Sequence, residues 1–285
     1  MSTLGREKFS WSQEIWNQID QAVHDEAEAT RVARKFLPLH GPLDPAAQTV
    51  QGQTINPGPP LTITPGQQIV PFEIWMNFEL NPQQITDTSV ALALVRRAAN
   101  QVARAEDILI FQGTQENLGG VQISQPVPKN PGLTTDAAPV KINQPLFETL
   151  VAGIAELDSV GHHGPYALVV RPEVYAAAHI PAEGTAILPV DRIKPLVAKG
   201  FFSSSALQVG VAGLLVSFGG NSVDLAVTQD LITAFVHENI NYGFRVFERF
   251  ALRINDPNST RRLDVPMGAQ ETKQSSSKKG ATESN

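Results

Sequence analysis

The longest run of helical periodicity lies between Asp87 and Gly113, where no Pro or Gly interrupts the chain. Apolar residues recur there at spacings of three and four, which places them on one face of a helix. That face contains Val90, Leu94, Ala98, Val102, Ala105 and Leu109, and a second face contains Ala91, Val95, Ala99 and Ala103. Asp87 or Thr88 can cap the start, and Gly113 can end the helix. The pattern predicts a helix of roughly 39 Å that is covered by protein on both sides.

A second helix is predicted from Ser10 to Phe36, where Pro38 stops it. Its narrow apolar stripe contains Ile15, Ile19, Val23 and Ala27, with Ala22, Thr30 and Ala33 beside it, and its acidic face contains Asp20, Asp25, Glu26 and Glu28. Such a stripe needs a partner surface, which lies either in the same subunit or on another chain.

The region from Ala46 to Phe72 has no regular period. It contains five prolines, with short alternating pieces such as L-T-I-T between them. This pattern predicts an extended two-stranded arm that has no core of its own and that lies on a neighbouring molecule. The residues from Ile69 to Leu80 alternate as in a β-strand, which is expected to lead into the long helix.

The second half of the chain predicts a mixture of helices and strands. A hairpin is expected around Gly219-Gly220-Asn221, between strands at Val211–Phe218 and Ser222–Val227. Further strands are predicted at Pro165–Val170, Leu231–Val236 and Phe244–Ile254, and helices at Pro145–Val160, Pro172–His179 and Pro189–Lys199. The segment 268–285 is rich in Ser, Lys and Gly, which predicts a disordered tail.

Composition narrows the possible functions. The net charge of −6 argues against a protein that binds nucleic acid through phosphate contacts. The chain has no Cys, which excludes disulfides and thiolate metal sites. No apolar run approaches the length of a membrane-spanning helix. The sequence therefore predicts a soluble cytoplasmic protein without nucleic-acid or membrane partners.

Candidate chemistry is sparse. The adjacent histidines His162 and His163 precede a glycine and are expected in an exposed loop. Glu106 and Asp107 are adjacent on the long helix, and their side chains diverge by about 100°, so they do not converge on one substrate. A structural salt bridge to Arg245 or Arg249 is the better explanation of this pair. No catalytic residue, metal site or cofactor is predicted.

Short motifs follow one another along most of the chain. They comprise Trp16, Ile19-Asp20, Arg34-Lys35-Phe36 and Gly41-Pro42 near the start, Glu106-Asp107 with Ile110-Phe111 and Gly113 in the long helix, the segment 164–169, and the late segments 214–220, 224–231 and 244–257. In this order the motifs resemble those of the encapsulins, nanocompartment shell proteins of bacteria and archaea. The resemblance implies an α+β chain with the capsid fold of the HK97 phage.

The resemblance also implies a division into regions. A peripheral domain would comprise residues 1–49, 73–129 and 233–267, an extended loop residues 50–72, and an axial domain residues 130–232. The loop with Ala182, Glu183, Gly184 and Thr185 would line a pore on the five-fold axis. Five copies of Glu183 would then favour the passage of cations.

The family's first helix lines the lumen and binds a C-terminal peptide of the cargo protein. By resemblance, the cargo-binding residues would be Ile15, Ile19, Val23, Ala27, Thr30 and Arg34. On this basis Val23→Asp is expected to abolish loading and to leave the shell intact. The implied partners are further copies of the chain, in a large icosahedral homo-oligomer, and a cargo of the ferritin-like iron-storage or peroxidase type.

Two alternatives remain open at this stage. One is a phage major capsid protein of the same fold, which the absence of a long N-terminal scaffolding segment disfavours. The other is a soluble hydrolase, which the absence of any nucleophile and base pair disfavours. The short arm favours a shell built only of pentamers.

Overall fold

The computed structural model describes residues 4–56, 60, 62–141, 145–181 and 186–264. Its helices are α1 (Gln13–Thr30), α2 (Thr88–Gln112), α3 (Leu146–Ser159), α4 (Pro172–Ala178) and α5 (Pro189–Ile193). Its strands are β1 (Leu39–His40), β2 (Val50–Asn56), β3 (Thr62–Ile69), β4 (Phe72–Leu80), β5 (Gln122–Ile123), β6 (Ala138–Lys141), β7 (Tyr166–Val170), β8 (Gly200–Ser203), β9 (Val211–Ser217), β10 (Val223–Glu238), β11 (Tyr242–Ile254) and β12 (Thr260–Asp264). None of the helices within these ranges could cross a lipid bilayer.

The long helix α2 confirms the strongest sequence prediction. The Asp87 carboxylate accepts a hydrogen bond from the Ser89 backbone N–H at 2.9 Å, and Gly113 ends the helix at φ 75°. Both predicted faces are buried along most of their length. The helix packs on β4 and β11 and also contacts α1, so protein covers it on two sides.

The first sheet has the strand order β1-β10-β11-β4-β5. Its long antiparallel pair β10 and β11 packs against α1 and α2. One core fills the space between them and includes the rings of Phe9, Trp11, Trp16, Phe235 and Phe244. Trp11 stacks on Phe244 with ring centroids 5.0 Å apart, a separation typical of aromatic pairs.

The second sheet has the order β6-β12-β9-β7-β8, and α3 contacts its β6, β9 and β12 strands. A separate core lies here, around Leu150, Leu157 and Leu168. Residues 223–232 belong to β10 of the first sheet. β12 belongs to the second sheet, where it pairs with both β6 and β9.

The hairpin predicted around Gly219-Gly220-Asn221 is wrong. β9 and β10 lie in different sheets, so this turn carries the chain from one sheet to the other. Gly220 at φ 81° and Asn221 at φ 56° allow the sharp change of direction. The true hairpin joins β10 to β11 at 239–241, where the Asn239 N–H donates to the Asn241 carbonyl oxygen.

The two-stranded arm is present as predicted, with β2 antiparallel to β3. The strand predicted at Ile69–Leu80 is divided, since β3 ends at Ile69 and β4 begins at Phe72. Pro71 lies between them, and a proline has no N–H for a ladder of hydrogen bonds. At the base of the arm, Val50 packs with Ala226 and Ala251 of the first sheet.

The first helix is shorter than predicted. Ser12 caps its start, and the helix ends at Thr30, where Arg31 adopts an extended conformation at ψ 136°. The next two backbone N–H groups, of Val32 and Ala33, donate to the Asp107 carboxylate at 2.8 and 2.9 Å. Because a side chain of α2 satisfies these donors, the chain leaves the helix six residues before Phe36.

Candidate functional site

The apolar stripe of α1 faces the core of its own subunit. Ile19 and Val23 are 0% exposed, and Ala27 is 1% exposed. The outward face of α1 is polar, with Glu14, Asn17, Gln21, His24, Asp25 and Glu28 exposed. The stripe therefore packs on α2 and the first sheet, and Ile19, Val23 and Ala27 do not form an open apolar groove in this chain.

The other three predicted residues of the cargo site are half-buried: Ile15, Thr30 and Arg34. Ile15 packs against the edge of the main core. The Thr30 hydroxyl oxygen accepts a hydrogen bond from Asn100 of α2 at 2.9 Å, and Asn100 also donates to Glu26. These contacts tie the end of α1 to α2.

Arg34 belongs to a cluster of charged side chains beneath the end of α1. Its Nε is 2.5 Å from Glu106 Oε1, its Nη2 is 3.0 Å from Glu248 Oε2, and its Nη1 is 2.8 Å from Asp230 Oδ1. Arg31 pairs with the same two glutamates. We call these five residues the charge cluster: Arg31, Arg34, Glu106, Asp230 and Glu248.

Charge within the cluster is unbalanced, with two guanidinium groups and three carboxylates. Burial and the neighbouring carboxylate of Glu106 raise the pKa of Glu248 to about 8, although the two arginines oppose this shift. Burial also acts on Asp230, but the guanidinium groups of Arg34 and Arg31 outweigh it and lower its pKa. One proton on Glu248 would balance the charges, and its Oε1 is buried without a hydrogen-bond partner.

Asp107 does not belong to an acid–base pair with Glu106. Its carboxylate accepts the backbone N–H groups of Val32 and Ala33, while the Glu106 carboxylate binds the arginines. Burial raises the pKa of Asp107 to about 7. The expected structural salt bridge is formed by Glu106 alone, and its partners are Arg31 and Arg34 instead of Arg245 or Arg249.

A cleft of about 190 Å³ opens beside the end of α1. Its walls come from α1, α2 and the loop after β8, and they include Thr30, Val32, Arg104, Ile108 and the segment 203–206. Val32, Ile108 and Ala206 supply apolar surface, and Arg104 and the serines supply polar groups. The cleft is therefore lined by both apolar and polar groups.

A second cavity, of about 490 Å³, lies between the N-terminal segment and the first sheet. Its lining includes Gly5, Lys8, Val236, Arg245 and Phe247. The N-terminal segment is fixed there by Arg6, which donates to the Thr233 carbonyl oxygen and pairs with Asp20. The pairing occupies one of the acidic residues that the sequence placed on the open face of α1.

Other candidate residues lie apart from these features. His162 is buried and pairs with Asp256 at 3.2 Å, whereas an exposed loop was predicted, and His163 is 3.4 Å from Asp158. Within the described ranges no group of three metal-ligating side chains converges. The predicted pore residues Ala182, Glu183, Gly184 and Thr185, and the predicted tail at 268–285, lie outside the described residues.

Three members of the charge cluster were not identified from the sequence: Arg31, Asp230 and Glu248. Glu248 carried a signal, because it shares the strand phase of Phe244, Val246 and Phe250, which are all buried. A carboxylate in that phase must face the core and needs a cationic partner there. Nothing in the local pattern singles out Arg31 as this partner, since its contacts are 75 and 217 residues away in the chain.

Comparison with known proteins identifies similar chains. A family model described as "Encapsulating protein for peroxidase" matches residues 1–251. The chain is 28% identical over 275 residues to the type 1 encapsulin shell protein EncA of Myxococcus xanthus, which covers 90% of this chain and 94% of the relative. It is 30% identical over 264 residues to a diheme-cytochrome-encapsulin shell fusion protein of Kuenenia stuttgartiensis, which covers 86% of this chain and 71% of that protein.

Solved structures share the fold at low sequence identity. A virus-like particle from Pyrococcus furiosus superposes with a TM-score of 0.68 and 16% identity, covering 88% of this chain and all 100% of that one. The holo-SrpI encapsulin complex from Synechococcus elongatus gives a TM-score of 0.53 at 11% identity, covering 93% and 95% of the two chains. The α+β fold with the architecture of HK97-type capsids is therefore confirmed.

Proposed function

Because the chain belongs to the encapsulin family of nanocompartment shell proteins, we propose that its copies assemble into a closed icosahedral particle in the cytoplasm. The role is structural: the subunit supplies a wall, and the enclosed cargo supplies the chemistry. The observation that carries the proposal is the two-stranded arm, which extends from the body without any other strand paired to it among the described residues.

The composition of the arm supports a buried position in an assembly. No charged residue occurs from Pro45 to Phe72. Most described side chains of β2 and β3 are exposed in the single chain, and Ile63 is 64% exposed. Removing charges from water is costly, so a surface that becomes buried in an assembly favours uncharged residues. A neighbouring subunit is the surface that such an arm fits.

The test is expression of the full chain alone, followed by light scattering and cryo-electron microscopy. We expect closed particles without any partner. Ile63→Lys places a charge on the arm and should weaken assembly without unfolding the subunit, whereas Gln21→Lys, on the exposed face of α1, should assemble normally. A monomeric or dimeric wild-type chain at neutral pH and moderate salt would overturn the proposal.

For the cargo we propose a C-terminal targeting peptide of a ferritin-like iron-storage protein or a peroxidase, bound at the end of α1. The site would combine the half-buried Thr30 and Arg34 near the end of α1 with the cleft of about 190 Å³ beside Val32. Ile15 lies near the start of α1, roughly 20 Å away at about 1.5 Å per residue, and would contact a peptide that continues along the helix. One apolar side chain of the peptide would fill the cleft. Exposed acids on the outer face of α1, at Glu14, Asp25 and Glu28, favour a Lys or Arg elsewhere in the peptide.

Two substitutions in one loop test the cleft. Ser205 is exposed at the cleft, so Ser205→Trp should fill it and reduce the amount of co-purified cargo. Gln208 is exposed in the same loop but does not line the cleft, so Gln208→Trp should load cargo normally. If both variants formed intact shells that contain the wild-type amount of cargo, the peptide would bind elsewhere.

For the pore we propose that Ala182, Glu183, Gly184 and Thr185 surround the five-fold axis and admit cations. The support is the single acidic residue among small ones, which five-fold symmetry would repeat as a ring. Glu183→Lys should slow the uptake of ferrous ions into shells loaded with an iron-storage cargo. Unchanged uptake in the variant would mean that cations enter by another route.

A further inference from the structure

The arm joins the body at two roots, and a side chain of the body holds each of them. At the first root, Arg249 of β11 donates from Nη1 to the Pro45 carbonyl oxygen at 2.7 Å and from Nη2 to the Ala47 carbonyl oxygen at 3.0 Å. Its Nε lies 3.4 Å from a carboxylate oxygen of Glu73 on β4. The guanidinium group thus links two strands of the sheet to the segment that leads into β2.

At the second root, the Asn130 side-chain amide donates to the Val70 carbonyl oxygen at 2.8 Å. Asn130 is itself fixed, since its backbone N–H donates to the Thr114 hydroxyl at 2.9 Å and its carbonyl oxygen accepts from the Thr114 N–H at 3.1 Å. Thr114 follows directly after the end of α2. Asn130 and Thr114 therefore connect the second root to the end of α2.

A small apolar seat lies between the two roots. Val50 at the start of β2 packs on Ala226 and Ala251 of the first sheet, with Leu43 and Ile69 beside it. Beyond this seat the described residues of β2 and β3 pair with each other. The direction of the arm is consequently set at its base.

We propose that Arg249 and Asn130 are positioning residues for assembly, which fix the direction of the arm before it meets a neighbouring subunit. This inference rests on the proposed function of a self-assembling shell. Two carbonyl groups of one root bind a single planar guanidinium, so that root has one favoured orientation. The amide of Asn130 holds the other root, and together the two contacts resist rotation of the hairpin about its seat.

Geometry shows why the direction matters. The seven residues of β2 extend roughly 23 Å at about 3.3 Å per residue. A swing of about 20° at the root would move the far end by roughly 8 Å, which exceeds the spacing of about 4.8 Å between neighbouring strands. An arm without its root contacts would reach its neighbour out of register.

The experiment compares the Arg249→Gln and Arg245→Gln variants of the full chain. Arg245 is a matched control on the same strand, where it bonds Asn77 and lies over the Trp75 ring without touching the arm. The chain has no cysteine, so Thr62→Cys on the arm and Gln18→Cys on α1 provide unique positions for spin labels. Labelled subunits are diluted into unlabelled ones, and the distance distribution is measured by pulsed electron resonance, together with the yield of closed particles.

We expect Arg249→Gln to broaden the distance distribution before assembly and to lower the yield of closed particles by about tenfold or more. That is the scale set by loss of even one of the two hydrogen bonds that this charged group donates to the arm. Arg245→Gln should leave both measurements unchanged. Asn130→Ala should also broaden the distribution, because it removes the donor at the second root. The circular-dichroism spectrum should stay that of the wild type in each case.

Arg249→Lys keeps the charge but lacks the planar fork, so it should give an intermediate width, and it decides the matter if Arg249→Gln fails to fold. Wild-type widths and yields in Arg249→Gln, or in Arg249→Lys where the former is unfolded, would overturn this inference and leave the shell function standing. Absence of particles from the wild-type chain would instead overturn the proposed function.

Discussion

Arg31 and Arg34 stand three positions apart after the end of α1, and both guanidinium groups contact Glu106 and Glu248. Both glutamates are 0% exposed. Removal of one partner from such a cluster leaves a charge buried without compensation, which is more costly than replacing the whole cluster by apolar groups. The contacts join the end of α1, the middle of α2 and strands β10 and β11 at one point.

Glu248 of the charge cluster and the neighbouring Asp107 predict a pH dependence of stability. Burial raises the folded-state pKa of Glu248 from 4.5 to about 8 and that of Asp107 from 3.8 to about 7. Between the unfolded and folded values the folded state binds more protons, so the free energy of unfolding should fall as the pH rises from about 4.5 to about 8. Each group contributes a slope of at most about 1.4 kcal/mol per pH unit. Denaturant unfolding at pH 5.5 and pH 8 measures the difference.

Glu248→Gln supplies the control for this prediction. Glutamine resembles the protonated side chain and does not titrate, so the variant should lose the part of the slope that Glu248 contributes. The part contributed by Asp107 should remain. An unchanged slope in Glu248→Gln would contradict the assignment of the proton to this residue.

The burial of Val23 changes the expected effect of the Val23→Asp substitution. Since Val23 is 0% exposed and packs in the main core, Val23→Asp should prevent folding of the subunit and not merely abolish loading. An unpaired carboxylate in an apolar core costs about 4 kcal/mol or more. Soluble yield and circular dichroism measure the effect, with Gln21→Asp on the exposed face as the control. Intact shells of Val23→Asp would mean that this side chain is accessible in the assembly.

At the scale of elements, the sequence predicted those structures that depend on nearby residues. Helix α2 was predicted to within one residue at each end, because its cap, its period and its terminal glycine all lie within the segment itself. The end of α1 was misplaced because Asp107, which accepts the next two N–H groups, is 75 residues away from Val32. The turn at 219–221 has the residues of a hairpin, and only the sheet to which each strand belongs shows that it is a crossover.

The candidate site was predictable to a smaller extent. The assignment of Thr30 and Arg34 to a cargo site stays a prediction, and the structure shows that both side chains are half-buried near the end of α1. Which face of the helix is open could not be derived, because the stripe of Ile19 and Val23 suits a core and a groove equally well. Exposure depends on α2 and the first sheet, which are distant in the chain.

The end of α2 gives a prediction about backbone contact. Gly113 has φ 75° and ψ −155°, and a Cβ there would lie 2.6 Å from the Gly132 nitrogen. Gly113→Ala should therefore lower the free energy of unfolding by about 3 kcal/mol or more. Gly119 has φ 66° but no atom within 4 Å of a Cβ, so Gly119→Ala isolates the conformational cost of about 1 kcal/mol. Similar losses in the two variants would contradict a steric role for Gly113.

At the scale of the whole molecule, the two sheets cannot be separated by one cut in the chain. The second sheet takes strands from 138–217 and also β12 from 260–264, while β10 and β11 of the first sheet lie between them. β12 is an interior strand of the second sheet, paired on both sides, and its Leu263 is fully buried.

Truncation tests this arrangement. A chain ending at Ser259 lacks β12 and should not fold, since β6 and β9 lose their common neighbour and Leu263 leaves the core. A chain ending at residue 267 keeps β12 and serves as the control. Thermal unfolding and soluble yield distinguish the two. A folded subunit from the shorter chain would show that the second sheet closes without its last strand.

The position of β12 after the other strands also determines when, during synthesis, the second sheet can be completed. During synthesis the N-terminal parts of a protein emerge and fold first. Here β12, which completes the second sheet, is synthesised after every other strand of that sheet and also after β10 and β11 of the first sheet. A nascent chain in which β12 has not yet emerged therefore lacks a finished second sheet. Until then, the edges of β6 and β9 that face β12 have no strand between them.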